Sequence, residues 1–457
     1  MTVSPPRAPS PAALLPLSLQ QEFLCLFDSG DTSGPFGPRY LIVEGWRVAG
    51  RLDPAVLRTA LADVVDRHEA LRTVLDRDPG ARGQQVLASV PTPRVEVREL
   101  PGVPRDQRAR RAEELVNEID DTTLEIKDLP LLRAVVGRFD ANDAVLVLVT
   151  HHSAADAWSL QVIVDDLTLC YAARAAGRAP RLEPVRQYRD YVDVQLAQAD
   201  SPRVARSRAY WREQLAGARV MVVPTDSSPE PGTTGRTTCH RWIGSASMRQ
   251  GTVDLAAATR SSPFIVMLAA FGVMAAQWTG STDVVIPTFL PGRGDGRFER
   301  TAGSFFNFVP LRIRLDGCRD FLEAVARTRA TCLAAYSHEL PFLHVLQEAP
   351  ELLSSAMAPG VAPCLFQVIQ TPFLMQGHRV GPLEYSAIWR RVIPQPTSAD
   401  MPDGMLWSMH LGPSDDVVGA VGFSAHLFRQ DTVDALVERY RGMLDRLLAD
   451  PSAAVRG

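Results

Sequence analysis

AVLVLVTHHSAADAWSLQVIVDDL, residues 144–167, sets an apolar run against two adjacent histidines and then a helical repeat. The near-continuous apolar run predicts a strand buried on both faces. Beyond it Leu160, Ile163, Val164, Leu167 and Tyr171 recur at the spacing of one helix face. His151 and His152 therefore end a strand, and Asp156 sits in the turn before a helix. Strand side chains alternate, so only one histidine of the pair points into a given cavity. Polar residues at a strand end and an aspartate N-cap would explain the junction without chemistry. Adjacent histidines face opposite sides and no third ligand is evident, which argues against a metal site. Chemistry has its own basis: an imidazole titrates near neutral pH and can take a proton from an amine or alcohol. No Gly-x-Ser-x-Gly elbow accompanies it, which favours direct transfer from an activated acyl donor over a covalent acyl-enzyme.

Working outward, LLRAVVGRF and AVLVLVT read as two strands joined by the turn-like DAND. Residues 52–75 show Leu57, Leu61, Val64, His68 and Leu71 on one helix face, with Asp53 as N-cap and Pro54 at the first helical position. Residues 177–184, GRAPRLEP, read as a linker. In the second half, residues 262–280 read as an apolar helix, DVVIPTFL and FNFVPLRIRL as strands, and residues 432–450 as a closing amphipathic helix capped by Asp431. Strands and helices mix in both halves, which predicts an α/β chain of two lobes. The expected division is a flexible tail over 1–13, lobes over 14–177 and 188–457, and a linker over 178–187.

The chain has 457 residues and a net charge of −4, with a single lysine, Lys127, among 48 basic residues. The length suits two or three cores, and no basic field points to nucleic acid or a membrane surface. Cys25, Cys170, Cys239, Cys318, Cys332 and Cys364 are scattered without metal-ligand spacing and read as buried free thiols. The Pro-rich start lacks the pattern of a signal peptide, and no long uncharged apolar run suggests a membrane span. A cytoplasmic protein is the expectation.

THHSAADAWS resembles the HHxxxDG motif of the condensation domains of nonribosomal peptide synthetases, within the chloramphenicol-acetyltransferase-like acyltransferases. Family-like segments follow in order along residues 15–450. LSLQQEFLCL (17–26) matches at Ser18 and Gln20 and departs at Glu22 and Leu24. RHEALRTVL (67–75), LPLLRA (129–134) and YRDYV (188–192) resemble the segments around the motif. PGRGDGRFERTAGSFFNFVPLR, SHELPFLHVLQE (337–348) and APCLFQVIQTPF (362–373) resemble those of the second half.

The resemblance implies two chloramphenicol-acetyltransferase-like lobes in a V-shaped pseudo-dimer, an α+β two-layer arrangement repeated, with the histidine motif midway along a central tunnel. It implies transfer of an acyl or aminoacyl group from the phosphopantetheine of a separate carrier protein to an amine or alcohol, with no bound cofactor or metal. His152 would be the reactive imidazole, His151 its structural neighbour, and Asp156 the loop-holding carboxylate. Arg293 is the implied partner of Asp156. Trp158 and Ser159 trail the motif, Ser159 as a polar contact in the tunnel, and Asn307 is a second-lobe site-supporting residue. His68, Arg72, His338 and His344 read as structural. One departure stands out: Ala157 replaces the motif glycine, a residue suited to positive φ or close backbone approach. With no length left for adenylation or carrier domains, the expectation is a free-standing monomeric enzyme forming amide or ester bonds in natural-product biosynthesis. A CoA-dependent acyltransferase and a catalytically silent carrier-recruitment module are the alternatives.

Overall fold

The computed structural model describes residues 14–455 apart from 229, 231–232, 234, 370–373 and 413–414. The expected tail over 1–13 and the end of the 362–373 segment lie outside the described residues.

The apolar run becomes the strand Asp143–His151, and the helix α4 that follows the turn spans Ala157–Ala175. Among the described residues three α-helices precede it: α1 (Leu19–Cys25), α2 (Pro54–Arg67) and α3 (Arg108–Asp120). Asp143–His151 lies inside a six-stranded sheet, antiparallel to both Leu41–Ala49 and Leu132–Asp140. Burial on both faces explains its composition. Leu146 and Leu148 join Trp46 and residues of α2 and α4 in one cluster; Val145, Val147 and Val149 pack with Leu115, Val116 and Ile119 of α3 in another. The α3 helix thus adds a layer to the sheet's second face.

The second half has its own six-stranded sheet, in the order Gln395–Ser398, Thr237–Gly244, Val417–Ser424, Met405–His410, Val361–Ile369, Val222–Pro224. The helices Pro263–Thr279 and Gln430–Ala449 share its core. Asp431 is not the cap of the closing helix. That helix starts two residues earlier, at Gln430, and Asp226 accepts from the Arg429 amide (2.7 Å) and the Thr432 hydroxyl (3.0 Å). Asp431 lies in the first turn, where its negative charge is favourable beside the positive end of the helix dipole.

Elements of each half cross the division at 178–187. His378–Val380 and Leu383–Ala387, late in the chain, extend the first sheet beside Leu41–Ala49. In return α1 packs Phe23 against Phe308 and Phe342 of the second half. Each exchange buries apolar surface of one half on the other, so the halves share cores rather than one interface.

The expected helix over 52–75 also ends early, at Arg67. His68 turns out of helical conformation and its Nε2 meets Asp166 Oδ2 at 2.8 Å, buried. A short 3-10 turn, Glu69–Arg72, still buries Leu71, and Thr73–Asp76 pairs as a strand with Gly83–Val86. Apolar spacing alone did not distinguish these alternatives. Five of the six cysteines are buried, Cys318 is half-buried, and all six are free thiols.

Candidate active site at the His151–His152 junction

The two histidines diverge as alternation requires. His151 is fully buried, and both ring nitrogens are engaged, Nδ1 with Ser153 Oγ (2.7 Å) and Nε2 with the Gly37 carbonyl (3.0 Å). No nitrogen is left for a substrate. Burial pushes its pKa down to about 4.

His152 keeps accessible surface. Its backbone amide donates to the Tyr40 carbonyl (2.9 Å), and its ring stacks on Tyr40 at 4.8 Å between centroids, with Phe306 edge-on at 5.2 Å. Desolvation by these rings lowers its pKa, against the opposing effects of its own and the Ala155 carbonyls and of Asp156. The imidazole is therefore neutral near pH 7. Its Nδ1 is buried and has no hydrogen-bond partner among the described residues. A proton on Nδ1 would leave the lone pair on Nε2.

Asp156 N-caps α4, accepting from the Ser159 amide and hydroxyl, both at 2.7 Å. Its carboxylate also receives the fork of Arg293, NH1 to Oδ2 at 2.7 Å and NH2 to Oδ1 at 2.9 Å. Arg293 continues to Ser159 Oγ (2.8 Å) and the Thr301 carbonyl (3.3 Å), and lies 4.1 Å from the Phe305 ring. Ser159 is not a tunnel contact. It is fully buried; its Oγ accepts from the Gly303 amide (3.0 Å) and lies 2.8 Å from the Gly303 carbonyl, which shares the single hydroxyl proton with Asp156. Trp158 Nε1 donates to the Glu299 carbonyl at 2.9 Å. These residues fasten the start of α4 to the 291–305 loop. A second fastening lies two turns on, where Arg300 reaches Asp165 and Asp166, both at 2.7 Å.

Asn307 follows Phe306 but makes no hydrogen bond to His152, Asp156 or Arg293 among the described residues. Its amide donates to the Leu340 carbonyl (2.8 Å) and Glu339 (3.3 Å), and its oxygen accepts from the Phe342 amide (2.9 Å). It ties a strand start to the following segments.

Ala157 is exposed at the first position of α4, and its φ is not in the left-handed region; among the described non-glycine residues only Arg260 is there. Nothing in the backbone here requires glycine. Ala157→Gly is expected to change kcat/KM by less than about twofold and to loosen α4 slightly, as glycine is about 1 kcal/mol poorer than alanine in helices. A tenfold rise in kcat/KM would instead show that the methyl crowds the substrate.

Tyr40 and Phe306 were missed in the sequence. Each reaches His152 through chain distant from it, and neither lies in the motif. Among the described residues no three His, Cys, Asp or Glu are grouped as metal ligands, and no single helix is long and apolar enough to cross a membrane.

Burial also sets a pH limit on stability. His151 and His410 are both pushed down to about 4 by desolvation, and His68 and His152 are lowered for the same reason. Unfolding frees these imidazoles to bind protons below about 6.5, so stability rises with pH through that window. Asp166 adds a lower step: burial raises it, but the hydrogen bonds of His68 and Arg67 prevail and hold it at about 2. Its contribution, present above about 4, is lost as pH falls towards 2. The denaturant midpoint is expected to fall steadily from pH 7 to 5; a flat midpoint there would contradict the neutral buried imidazoles.

Three comparisons bear on this geometry. The condensation-domain family model matches residues 38–358. The structure of SgcC5 from Streptomyces globisporus, in complex with (R)-(-)-1-(2-naphthyl)-1,2-ethanediol and sucrose, is 44% identical, with a TM-score of 0.91 over 96% of this chain and 100% of that one. The first condensation domain of the CDA synthetase, at 20% identity and a TM-score of 0.74 over 98% of both chains, shares the fold. Among curated proteins, the isonitrile lipopeptide synthase of Mycobacterium tuberculosis is 31% identical over 98% of this chain, and phosphinothricin tripeptide synthetase PhsC of Streptomyces viridochromogenes 29% identical over 98%. The chain spans only 18% and 40% of those two relatives.

Proposed function

The chain belongs to the condensation-domain family, and from that membership we propose that it transfers an acyl group from a carrier-protein phosphopantetheine thioester to an alcohol, forming an ester. It does so in trans, as a free-standing enzyme of natural-product biosynthesis. The observation that carries the reading is His152: an accessible, desolvated, neutral imidazole held between Tyr40 and Phe306, with no side-chain hydrogen bond among the described residues to occupy Nε2. The choice of alcohol over amine rests on the likeness to SgcC5, whose structure contains an aryl 1,2-diol.

In the proposed reaction the acceptor hydroxyl gives its proton to His152 Nε2 as its oxygen attacks the thioester carbonyl carbon. The tetrahedral adduct collapses, the C–S bond breaks, and the leaving thiolate takes the proton back from the imidazolium. The thioester is already activated, so no nucleotide or metal is consumed. Asp156, Arg293 and Ser159 position the turn and do not exchange protons. The apolar rings around His152 limit water, which would otherwise hydrolyse the donor.

The test is a side-by-side transfer assay. One acyl group is offered on a carrier protein and on CoA, with 1-phenyl-1,2-ethanediol and 2-amino-1-phenylethanol as acceptors. The reading predicts ester from the carrier-bound donor and the diol. Faster transfer from CoA would replace the carrier, and amide as the main product would replace the alcohol.

A further inference from the structure

Glu44 stands on the strand Leu41–Ala49, which begins one residue after Tyr40. Pairing sets Leu41 opposite His151 and Glu44 opposite Leu148. Glu44 is therefore displaced along the sheet from His152 by four residues, on the order of 13 Å between backbones at ~3.4 Å per residue. Alternation puts the two side chains on the same face, the one covered by α4.

On that face Glu44 meets Gln161 of α4. The Gln161 Nε2 donates to Glu44 Oε2. The other amide heteroatom, Gln161 Oε1, is buried and has no hydrogen-bond partner, although the whole side chain is only 6% exposed. Glu44 itself has no ion pair within 4 Å among the described residues, yet keeps accessible surface. The nearby positive charge, Arg391, is turned to Asn117 (3.1 Å), Asp120 (3.4 Å) and Gln395 (3.0 Å), so its charge is answered elsewhere. The result is an acceptor-rich pair: a carboxylate and an orphaned amide oxygen, with no donor supplied beyond the one that joins them. A buried acceptor without a donor costs free energy that a ligand can recover.

We propose that Glu44 and Gln161 form the recognition site for a primary ammonium group on the acyl donor, and so select an aminoacyl group with a free amine. A primary ammonium carries three donors and one positive charge, which matches the orphaned Gln161 oxygen, the Glu44 carboxylate and the missing counter-charge. Burial pushes the Glu44 pKa up to about 7 against the opposing effects of Arg391 and Gln161, and an arriving positive charge would lower it again. The assignment to the donor rests on the proposed function, in which the acceptor is a diol without an amine.

The test uses two stable donor mimics that differ by one amino group, phenylalanyl-pantetheine amide and 3-phenylpropanoyl-pantetheine amide. Each is titrated calorimetrically into the full chain and into Glu44→Gln. The amine-bearing mimic is expected to bind at least about tenfold more tightly to the unaltered protein. In Glu44→Gln the preference should shrink to about twofold or less, while binding of the 3-phenylpropanoyl mimic is unchanged and so reports an intact fold. Equal binding of the two mimics, no detectable binding of either, or a preference that survives in Glu44→Gln overturns the proposal. A parallel titration of 2-amino-1-phenylethanol against 1-phenyl-1,2-ethanediol identifies the source of the amine; a Glu44-dependent preference there in place of the donor overturns the donor assignment. Binding needs no turnover, so a failure of acyl transfer leaves this outcome legible on its own.

Discussion

His152→Ala is expected to lower kcat by about 10²–10⁴-fold while KM changes little, the range for losing a positioned general base. The ring of Tyr40 packs against the imidazole but cannot replace it: burial raises its phenol pKa far above neutrality, so no phenolate is available as a base. His151 cannot substitute either, because both of its nitrogens are engaged and its ring is enclosed. The contrast between the two histidines is therefore informative. His151→Ala should reduce stability first, through the orphaned Ser153 hydroxyl and Gly37 carbonyl. Steady-state kinetics with a carrier-bound donor, paired with denaturant melts of both variants, separates the roles. Equal losses of kcat in two equally stable variants would mean that the pair acts as one unit, with no division between a reactive and a structural histidine.

Arg293→Ala is expected to cost about 3–5 kcal/mol of stability, the usual penalty for stripping one partner from a buried ion pair. The side chains of Arg293 and Asp156 are only 2% and 7% exposed, so solvent does little to relieve the remaining carboxylate. The loss reaches further than the pair. Arg293 also holds Ser159, which bonds both backbone groups of Gly303 across the halves. Arg293→Lys should recover only part of the loss, since an ammonium cannot present the two-pronged fork. Removing both partners, Asp156→Ala with Arg293→Ala, should cost clearly less than the sum of the single changes. Denaturant midpoints of the four proteins give the coupling directly. Additive losses would show that the two residues do not act as a pair.

Much of the junction could be read locally because local rules decide it. A doubly buried strand needs an unbroken apolar run, and a helix starting at a turn needs a cap; 144–167 states both. The Asp156–Arg293 link came from the resemblance rather than from spacing, since residues 137 apart carry no periodicity that joins them. Tyr40 and Phe306 were illegible for the same reason. Their approach to His152 depends on strand pairing and on a loop from the other half. The two strand and helix exchanges were hidden too: Leu383–Ala387 looks like any half-buried strand until its partner, Leu41–Ala49, is known. The early end of α2 shows a different failure. A helix, a 3-10 turn and a strand can all bury Leu71, and the pull of Asp166 on His68 settled the choice. Ala157 teaches the reverse lesson. A departure from a motif looked consequential in sequence, but the backbone there is ordinary and the methyl is exposed.

The most direct measurement is a single-turnover experiment read by intact mass. A carrier protein loaded with an aminoacyl group is mixed with an excess of this protein and 1-phenyl-1,2-ethanediol, and both carrier and small-molecule products are weighed over time. The account predicts that the carrier returns to its free-thiol mass while one equivalent of the diol gains the acyl group as an ester. A carrier that binds this protein yet keeps its acyl group through the time course would contradict it, and would make the His152 junction part of a docking module rather than an active site.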